Sequence, residues 1–510
     1  MRRTPLGRRA IGLAAFVAAL ALPATVQSRQ AAPAQAPAAQ AAPAQTPPPQ
    51  TPAAQAAQGQ GPLQAAAEGL IGGNADEWSV FAWSIDRNRP IFAVRADSVM
   101  IPASNNKVFT AIWALGTMGA DFRFPTDVLI PGGIPGNGVV AGPVYLRGSG
   151  DPAFGYPEFD KDPMEPLRIM ARQLKARGVR AVQGGVVADA TVFDTLHYGP
   201  AWPADTGNGA AYYAPTVAGL PFQRNMLWLN VSPGPGGTTF VREPDVPEIP
   251  VINRARNGGG RGWAVRNPGQ DTIIIKGGVS GRGPHRYPVG AADPSLLAAG
   301  ALRQALREEG VQVAGAVRRG ETPEGAKLIH RHLSMPLVQM IPKLNRDSDN
   351  FFAEHLWKAA SAHSIGVGSY TMGGPASARF FIQNADVPYG QVWQADGSGL
   401  SSQNRASAKA LVDALVYAHR QPWSRPFHQS MAVGGDRDGT LRSLFTGGRA
   451  KGNLHAKTGY IRGVRTLSGY VKMANGENVA FSFLYNGRNT SGARGVQQQL
   501  GNLLAEYAGP

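Results

Sequence analysis

Three short motifs, set far apart, constrain this chain more than any other feature: Ser104-Asn-Asn-Lys107, Ser348-Asp-Asn350 and Lys457-Thr-Gly459. Each alone is a pattern that chance supplies easily. In this order they describe a serine acyl-transfer site. A fold that uses all three must bring a helix start, a loop and a strand together. Ser104 is followed by Val108, Ala111, Ile112 and Leu115, an apolar stripe at helical spacing. It is therefore expected at a helix start, with Lys107 one turn on along the same face. No other Ser-x-x-Lys occurs in the chain.

Ser-x-Asn is weak by itself, since Ser104-Asn-Asn and Ser402-Gln-Asn match too. Position singles out Ser348: it lies between the other motifs, ahead of a helix whose buried face is Phe351, Phe352, His355, Leu356 and Ala359. Lys457-Thr-Gly belongs to a strand system. His455 to Tyr460 reads as one strand and Thr466 to Lys472 as the next. Asn475-Gly476 marks a hairpin turn, and Val479 to Tyr485 returns. A lysine and a threonine on an open strand edge can hold a carboxylate while the backbone pairs with an extended peptide. Between Phe124 and about Gly325 the texture changes to short, Gly/Pro-punctuated strands, with helices near 166–177 and 294–309.

Arg2, Arg3, Arg8 and Arg9 followed by the apolar run Ala10–Leu22 read as a cleaved export signal over residues 1–28, of the Sec or the twin-arginine kind. Residues 29–62 are nearly all Ala, Pro and Gln and are expected to be a disordered linker. About 450 residues remain, enough for two or three domains. The absence of cysteine excludes disulfides, thiol catalysis and zinc–thiolate sites. The formal charge of +16 is carried by arginine, since only 11 of the 50 basic residues are lysines. It reads either as attraction to a wall or membrane surface or as an arginine-rich composition bias. No dense basic run interleaved with aromatics points to nucleic acid. His330-Arg-His332 has ligand-like spacing but lacks a third ligand, so neither a metal nor a cofactor is expected. Nothing in the pattern sets an oligomeric state.

With the three motifs in place, the chain resembles the low-molecular-mass class C penicillin-binding proteins, the D-alanyl-D-alanine carboxypeptidase/endopeptidase family. The gap between the first two motifs, 348 − 104 = 244 residues, is similar to that of the group with a large insertion and unlike the shorter gap of β-lactamases. Gly148-Ser-Gly-Asp-Pro152, Asp396-Gly-Ser-Gly-Leu-Ser401 and Gly435-Asp-Arg-Asp-Gly-Thr-Leu441 add to the likeness, which covers roughly residues 65–510. The fold it implies is α+β: a β-lactamase/transpeptidase-like domain (63–128 and 326–510) carrying one or two inserted β-rich domains (129–325). The implied activity is hydrolysis of peptidoglycan stem peptides or cross-links by an exported, periplasmic enzyme, through an acyl-Ser104 intermediate that β-lactam antibiotics mimic as covalent inhibitors. Rival readings are a β-lactamase or esterase on the same design, and a non-catalytic peptidoglycan-binding protein.

The chemistry assigns roles. Ser104 is the nucleophile, and Lys107 is its base if burial or a neighbouring cation such as Lys457 keeps the amine neutral. Ser348 relays a proton to the departing nitrogen. Asn350 binds the substrate amide or holds the lysine. Lys457 and Thr458 grip the terminal carboxylate. The N–H groups of Ser104 and Tyr460 form the oxyanion hole, and Gly459 lets backbone approach the ligand. The resemblance adds Asp189, which would meet the amine of a diaminopimelate side chain. Where many relatives have arginine after Asp-Gly-Ser-Gly-Leu-Ser, this chain has Ser402, which removes a planar carboxylate partner that Arg405 could replace. Read singly, Ser104 also fits a helix cap, Ser348 a loop and Lys457 a strand end.

Overall fold

A computed structural model describes residues 61–202, 213–267 and 270–509. The expected export signal lies outside the described residues, as does the expected linker apart from its last two positions.

The chain ends interleave in one six-stranded antiparallel sheet. Its order is Arg89–Val94, Trp78–Ser84, Asn478–Asn486, Val464–Lys472, His455–Ile461 and Ala432–Val433. The three predicted C-terminal strands are present, with bounds within two residues of those read from the alternation. Because side chains alternate faces along a strand, Ala480 and Leu484 join a helical core on one side. Phe481, Phe483 and Tyr485 face the other, where helices Pro62–Ile71 and Thr490–Glu506 cover them.

The helix Asn106–Met118 lies in the first core, buried from Asn106 through Leu115. A single 3-10 turn, Ala103–Asn105, precedes it, and no side chain caps it. The Ser104 hydroxyl is thus left available for chemistry. Helix Asn350–Ile365 packs beside it, capped by Asp349, whose carboxylate accepts from the N–H groups of Phe351 and Phe352 at 2.8 and 3.2 Å. The one-sided burial expected of this helix is not found: every residue from Asn350 to Ser361 is buried. Outside the expected face, Tyr370 stacks on Trp357 and donates its hydroxyl to Glu354 at 3.0 Å, and Lys358 pairs with Asp194 at 2.6 Å.

Between the first two motifs stands a mixed five-stranded sheet, ordered Val317–Arg319, Val186–Asp189, Val144–Arg147, Pro125–Ile130 and Lys327–Leu333. Helices Glu165–Ala176 and Pro294–Glu308 lie close to the two helices anticipated from sequence and share one apolar core with that sheet. Among the described residues three three-stranded sheets extend the region, one around Met226–Gly234, one around Ile273–Lys276 and one around Ala181–Val182. Among the described residues no helix is long and apolar enough to cross a membrane.

Candidate active site

The three motifs meet. Lys107 is fully buried, and its ammonium group reaches the Ser104 hydroxyl at 3.1 Å, Asn350 Oδ1 at 2.7 Å and the Ser398 carbonyl at 2.6 Å. Asn350 donates its other amide atom to the Tyr213 carbonyl at 2.6 Å. Lys457, also buried, donates to Ser348 Oγ at 2.8 Å and to the Thr458 carbonyl at 2.7 Å. Ser348 has φ 60°, a conformation few non-glycine residues adopt and one that recurs at functional sites.

A cleft of about 610 Å³ opens over this group, lined by Ser104, Ser348, Asn350, Thr458, Tyr460 and Tyr213 among others. Lys457 does not line it; it sits behind Ser348. The strand His455–Ile461 is paired on its outer side only at His455 and Ala456, so Lys457 onward presents a free edge.

The helix start is clipped to that strand. Thr466 donates its hydroxyl to the Pro102 carbonyl at 2.8 Å. With the Asn105 amide oriented so that both its atoms are satisfied, its nitrogen donates to the Lys457 carbonyl at 2.9 Å and to the Thr466 hydroxyl at 3.1 Å. A Cβ on Gly459 would lie 2.0 Å from Thr466 Oγ1 and 3.0 Å from the Ser104 nitrogen. Gly459 therefore lets the strand and the nucleophile turn touch.

Burial sets the charge state of both lysines. It pulls Lys107 down to about 8, against the opposing pull of Asp396, Glu354 and Asp349. Burial, and then the charge of Lys107, drive Lys457 well below the ordinary lysine range. Of the two expected ways to lower Lys107, burial or a neighbouring cation, burial is the one that acts, and the repulsion between the amines falls on Lys457.

Sequence reasoning missed the layer that holds Lys107. Glu354, buried on the second helix, accepts from the N–H groups of Gly397 and Ser398 at 3.1 and 2.7 Å and from the Tyr370 hydroxyl at 3.0 Å. Burial first, then Asp396, push its carboxyl well above the usual range. Asp396 accepts from the N–H groups of Gly399 and Ser401 at 2.7 and 2.6 Å, from Asn404 at 2.8 Å and from the Trp202 indole at 2.8 Å. These bonds aim the Ser398 carbonyl at Lys107. One signal was available: Glu354 lies four residues after Asn350, on the same helix face. Asp349, Arg224 and the Tyr156 hydroxyl form a second missed cluster at the cleft wall.

Asp189 is not among the described residues that line this cleft. It ends the strand Val186–Asp189 and accepts from the Thr191 N–H and hydroxyl at 3.1 and 2.7 Å and from the Thr322 N–H at 2.9 Å. Burial alone would raise its carboxyl, but bonds from Thr322 and Thr191 hold it below the usual range. Arg405 turns back onto the Ser402 and Asn404 carbonyls at 2.7 and 2.9 Å.

Residues 65–507 match the D-Ala-D-Ala carboxypeptidase 3 (S13) family model. A D-alanyl-D-alanine carboxypeptidase of an Actinomadura species is 33% identical over 428 residues, covering 80% of this chain and 78% of that protein. The Haemophilus influenzae D-alanyl-D-alanine carboxypeptidase DacB is 26% identical, over 80% of this chain and 85% of its own length. The crystal structure of penicillin-binding protein 4 from H. influenzae superposes with a TM-score of 0.71 at 24% identity, covering 87% of this chain and 99% of that one. The chain belongs to the D-Ala-D-Ala carboxypeptidase (S13) family of low-molecular-mass class C penicillin-binding proteins, and is a serine-type carboxypeptidase.

Proposed function

We propose that this enzyme cleaves D-Ala-D-Ala ends, and the corresponding cross-links, of peptidoglycan stem peptides through an acyl group on Ser104. The observation that carries the reading is the buried Lys107 amine, 3.1 Å from the Ser104 hydroxyl and held at about 8 by desolvation. Neutral Lys107 takes the Ser104 proton as Oγ adds to the penultimate D-Ala carbonyl. The N–H groups of Ser104 and Tyr460 receive the oxyanion, a contribution of about 3 kcal/mol per donor. Collapse breaks the C–N bond, and the departing D-Ala nitrogen takes a proton through Ser348, which Lys457 supplies across 2.8 Å. Water then attacks the ester as its proton passes through Ser348 to Lys457, which the first step left neutral, and Oγ leaves with the proton held by Lys107. Thr458 contacts the terminal carboxylate directly. An arriving anion favours the charged form of Lys457 behind it. Asn350 anchors both the lysine and the substrate amide.

β-Lactams would enter the same cleft and stall as the ester. The accompanying organisation is an acyl-transfer portion, 63–128 and 326–510, split by an insertion, 129–325. Pro125–Ile130 and Lys327–Leu333 pair within the five-stranded sheet, which supports moving the edges of the insertion from 129 and 325 out to 125 and 333. Residues 1–28 would direct export to the periplasm. Asp189, placed as described, would serve the insertion's own frame before any substrate amine.

The test is incubation with fluorescent penicillin and mass spectrometry of the adduct. The expected result is one covalent label on Ser104, absent in Ser104→Ala; labelling elsewhere, or none at saturation, would overturn the reading. Muropeptides released from purified sacculi then separate carboxypeptidase products from endopeptidase products.

A further inference from the structure

We propose that the inserted region carries a second, non-catalytic binding site for a sugar-bearing anionic polymer, a distant stretch of the same peptidoglycan strand; this rests on the substrate reading above. The site is a hollow of about 800 Å³ that, among the described residues, shares no lining residue with the Ser104 cleft. Its chemistry comes from Arg261, Trp263, Lys276, His285, Arg286 and Tyr287, and among the described residues neither aspartate nor glutamate lines it.

The strands put these groups side by side. Trp263 is the direct cross-strand partner of Lys276. Trp263 is 48% exposed. Tyr287 stands on the neighbouring strand His285–Gly290, its hydroxyl against Gly262, where an added Cβ would come within 2.4 Å. Arg286 is partly committed: its guanidinium stacks 4.1 Å above Trp228 and pairs with Glu243 at 3.2 Å. Among the described residues Arg261 and Lys276 make no ion pair, so their charge faces the hollow uncompensated.

A flat indole and phenol beside unpaired cations select a ligand with two properties. It offers ring faces of saccharide size to stack on the aromatics, and carboxylates to meet the lysine and arginine. Peptidoglycan supplies both, as pyranose rings bearing peptides with free carboxylates. Only two uncompensated cations are present and the surface is concave. This fits a single strand segment better than a flat anionic membrane or a nucleic-acid backbone, which need a broader basic field. Anchoring a polymer at one site raises its effective concentration at the other without adding a contact to the scissile bond.

The experiment uses the full chain in the Ser104→Ala background, so that binding is read without turnover. Co-sedimentation with purified sacculi should give a dissociation constant about tenfold weaker for Trp263→Ala and for the double variant Arg261→Gln/Lys276→Gln. Added salt should weaken the parent in the same direction. With Ser104 intact, both variants should release D-alanine from a soluble pentapeptide within roughly twofold of the parent, yet digest sacculi about tenfold more slowly at low substrate. Unchanged sacculus binding would overturn the proposal. So would equal losses on both substrates, or Trp263-dependent retention only on phosphatidylglycerol vesicles or single-stranded DNA. The charge variant keeps the indole, so a fold defect in Trp263→Ala leaves the question answerable. If the intact parent fails on the pentapeptide, the Ser104 reading falls, and the sedimentation result still decides this one.

Discussion

Ionisation of Lys107 fixes how acylation must depend on pH. At a value of about 8, the amine is neutral in about one tenth of molecules at pH 7 and about nine tenths at pH 9. The rate of acylation by a β-lactam, followed by stopped flow below saturation, should therefore climb about tenfold over that interval and then level. At the ordinary lysine value of 10.5 the same interval would bring about a hundredfold rise with no plateau. Glu354→Gln supplies the internal control. Glu354 is among the carboxylates that pull Lys107 upward against burial, so its neutral replacement should move the midpoint below about 8 and speed acylation at pH 7. Linkage gives a second readout. The folded value lies below the unfolded one, so the unfolded chain binds more protons from about 8 to 10.5, and this group makes stability rise with pH across that window. A flat acylation profile, or a Glu354→Gln midpoint equal to the parent's, would refute the assignment of Lys107 as base.

Gly459→Ala should cut penicillin acylation by about a hundredfold or more while costing about 1–3 kcal/mol in urea denaturation, because the new methyl enters space held by Thr466 and the Ser104 nitrogen. Asp349→Ala removes a helix cap and the carboxylate that faces buried Arg224, and a loss of about 3 kcal/mol of folding stability is expected; less than about 0.5 kcal/mol would contradict that account. Asp189→Asn should leave acylation of Ser104 within roughly twofold and lower stability by about 1–2 kcal/mol, since an amide nitrogen would face the N–H of Thr191 or Thr322. A tenfold loss of acylation in that variant would place Asp189 in the working cleft instead.

The parts of this molecule governed by local rules were readable from the chain. Alternation along Thr466–Lys472 and the Asn475-Gly476 turn gave the strands, and the apolar stripe after Ser104 gave the nucleophile helix. Motif order gave the family. What stayed hidden depends on contacts between segments nearly 300 residues apart. Asp396 reads as a loop residue until Asn106 is seen to donate to its carbonyl at 2.6 Å. The second helix reads as amphipathic because its own spacing cannot show that Tyr370 and Asp194 meet Glu354, Trp357 and Lys358 on its other side. Lys457 reads as an exposed strand lysine because nothing beside it in sequence announces Ser348. Asp189 was carried over by resemblance alone, and the local turn at Thr191 was an equally legible reason for an aspartate there.

Dryness and strain at Lys107 have one origin. The Lys107 ammonium group gives up its proton more readily than usual because the Ser398 carbonyl, Asn350 and the helix start close around it and exclude water. That closure requires the loop after Asp396 to press on the turn before Ser104. At Gly399, φ is +83° and a Cβ would stand 1.8 Å from the Ala103 carbonyl oxygen. Ala103 and Ser348 also sit at positive φ, 45° and 60°. Three segments thus hold backbone conformations disfavoured for ordinary residues where the two lysines are buried. Their cost, of order 1–3 kcal/mol for each non-glycine residue, is offset by the apolar cores on both faces of the sheet. What it secures is an amine that is a base near neutral pH without a second cation to depress it.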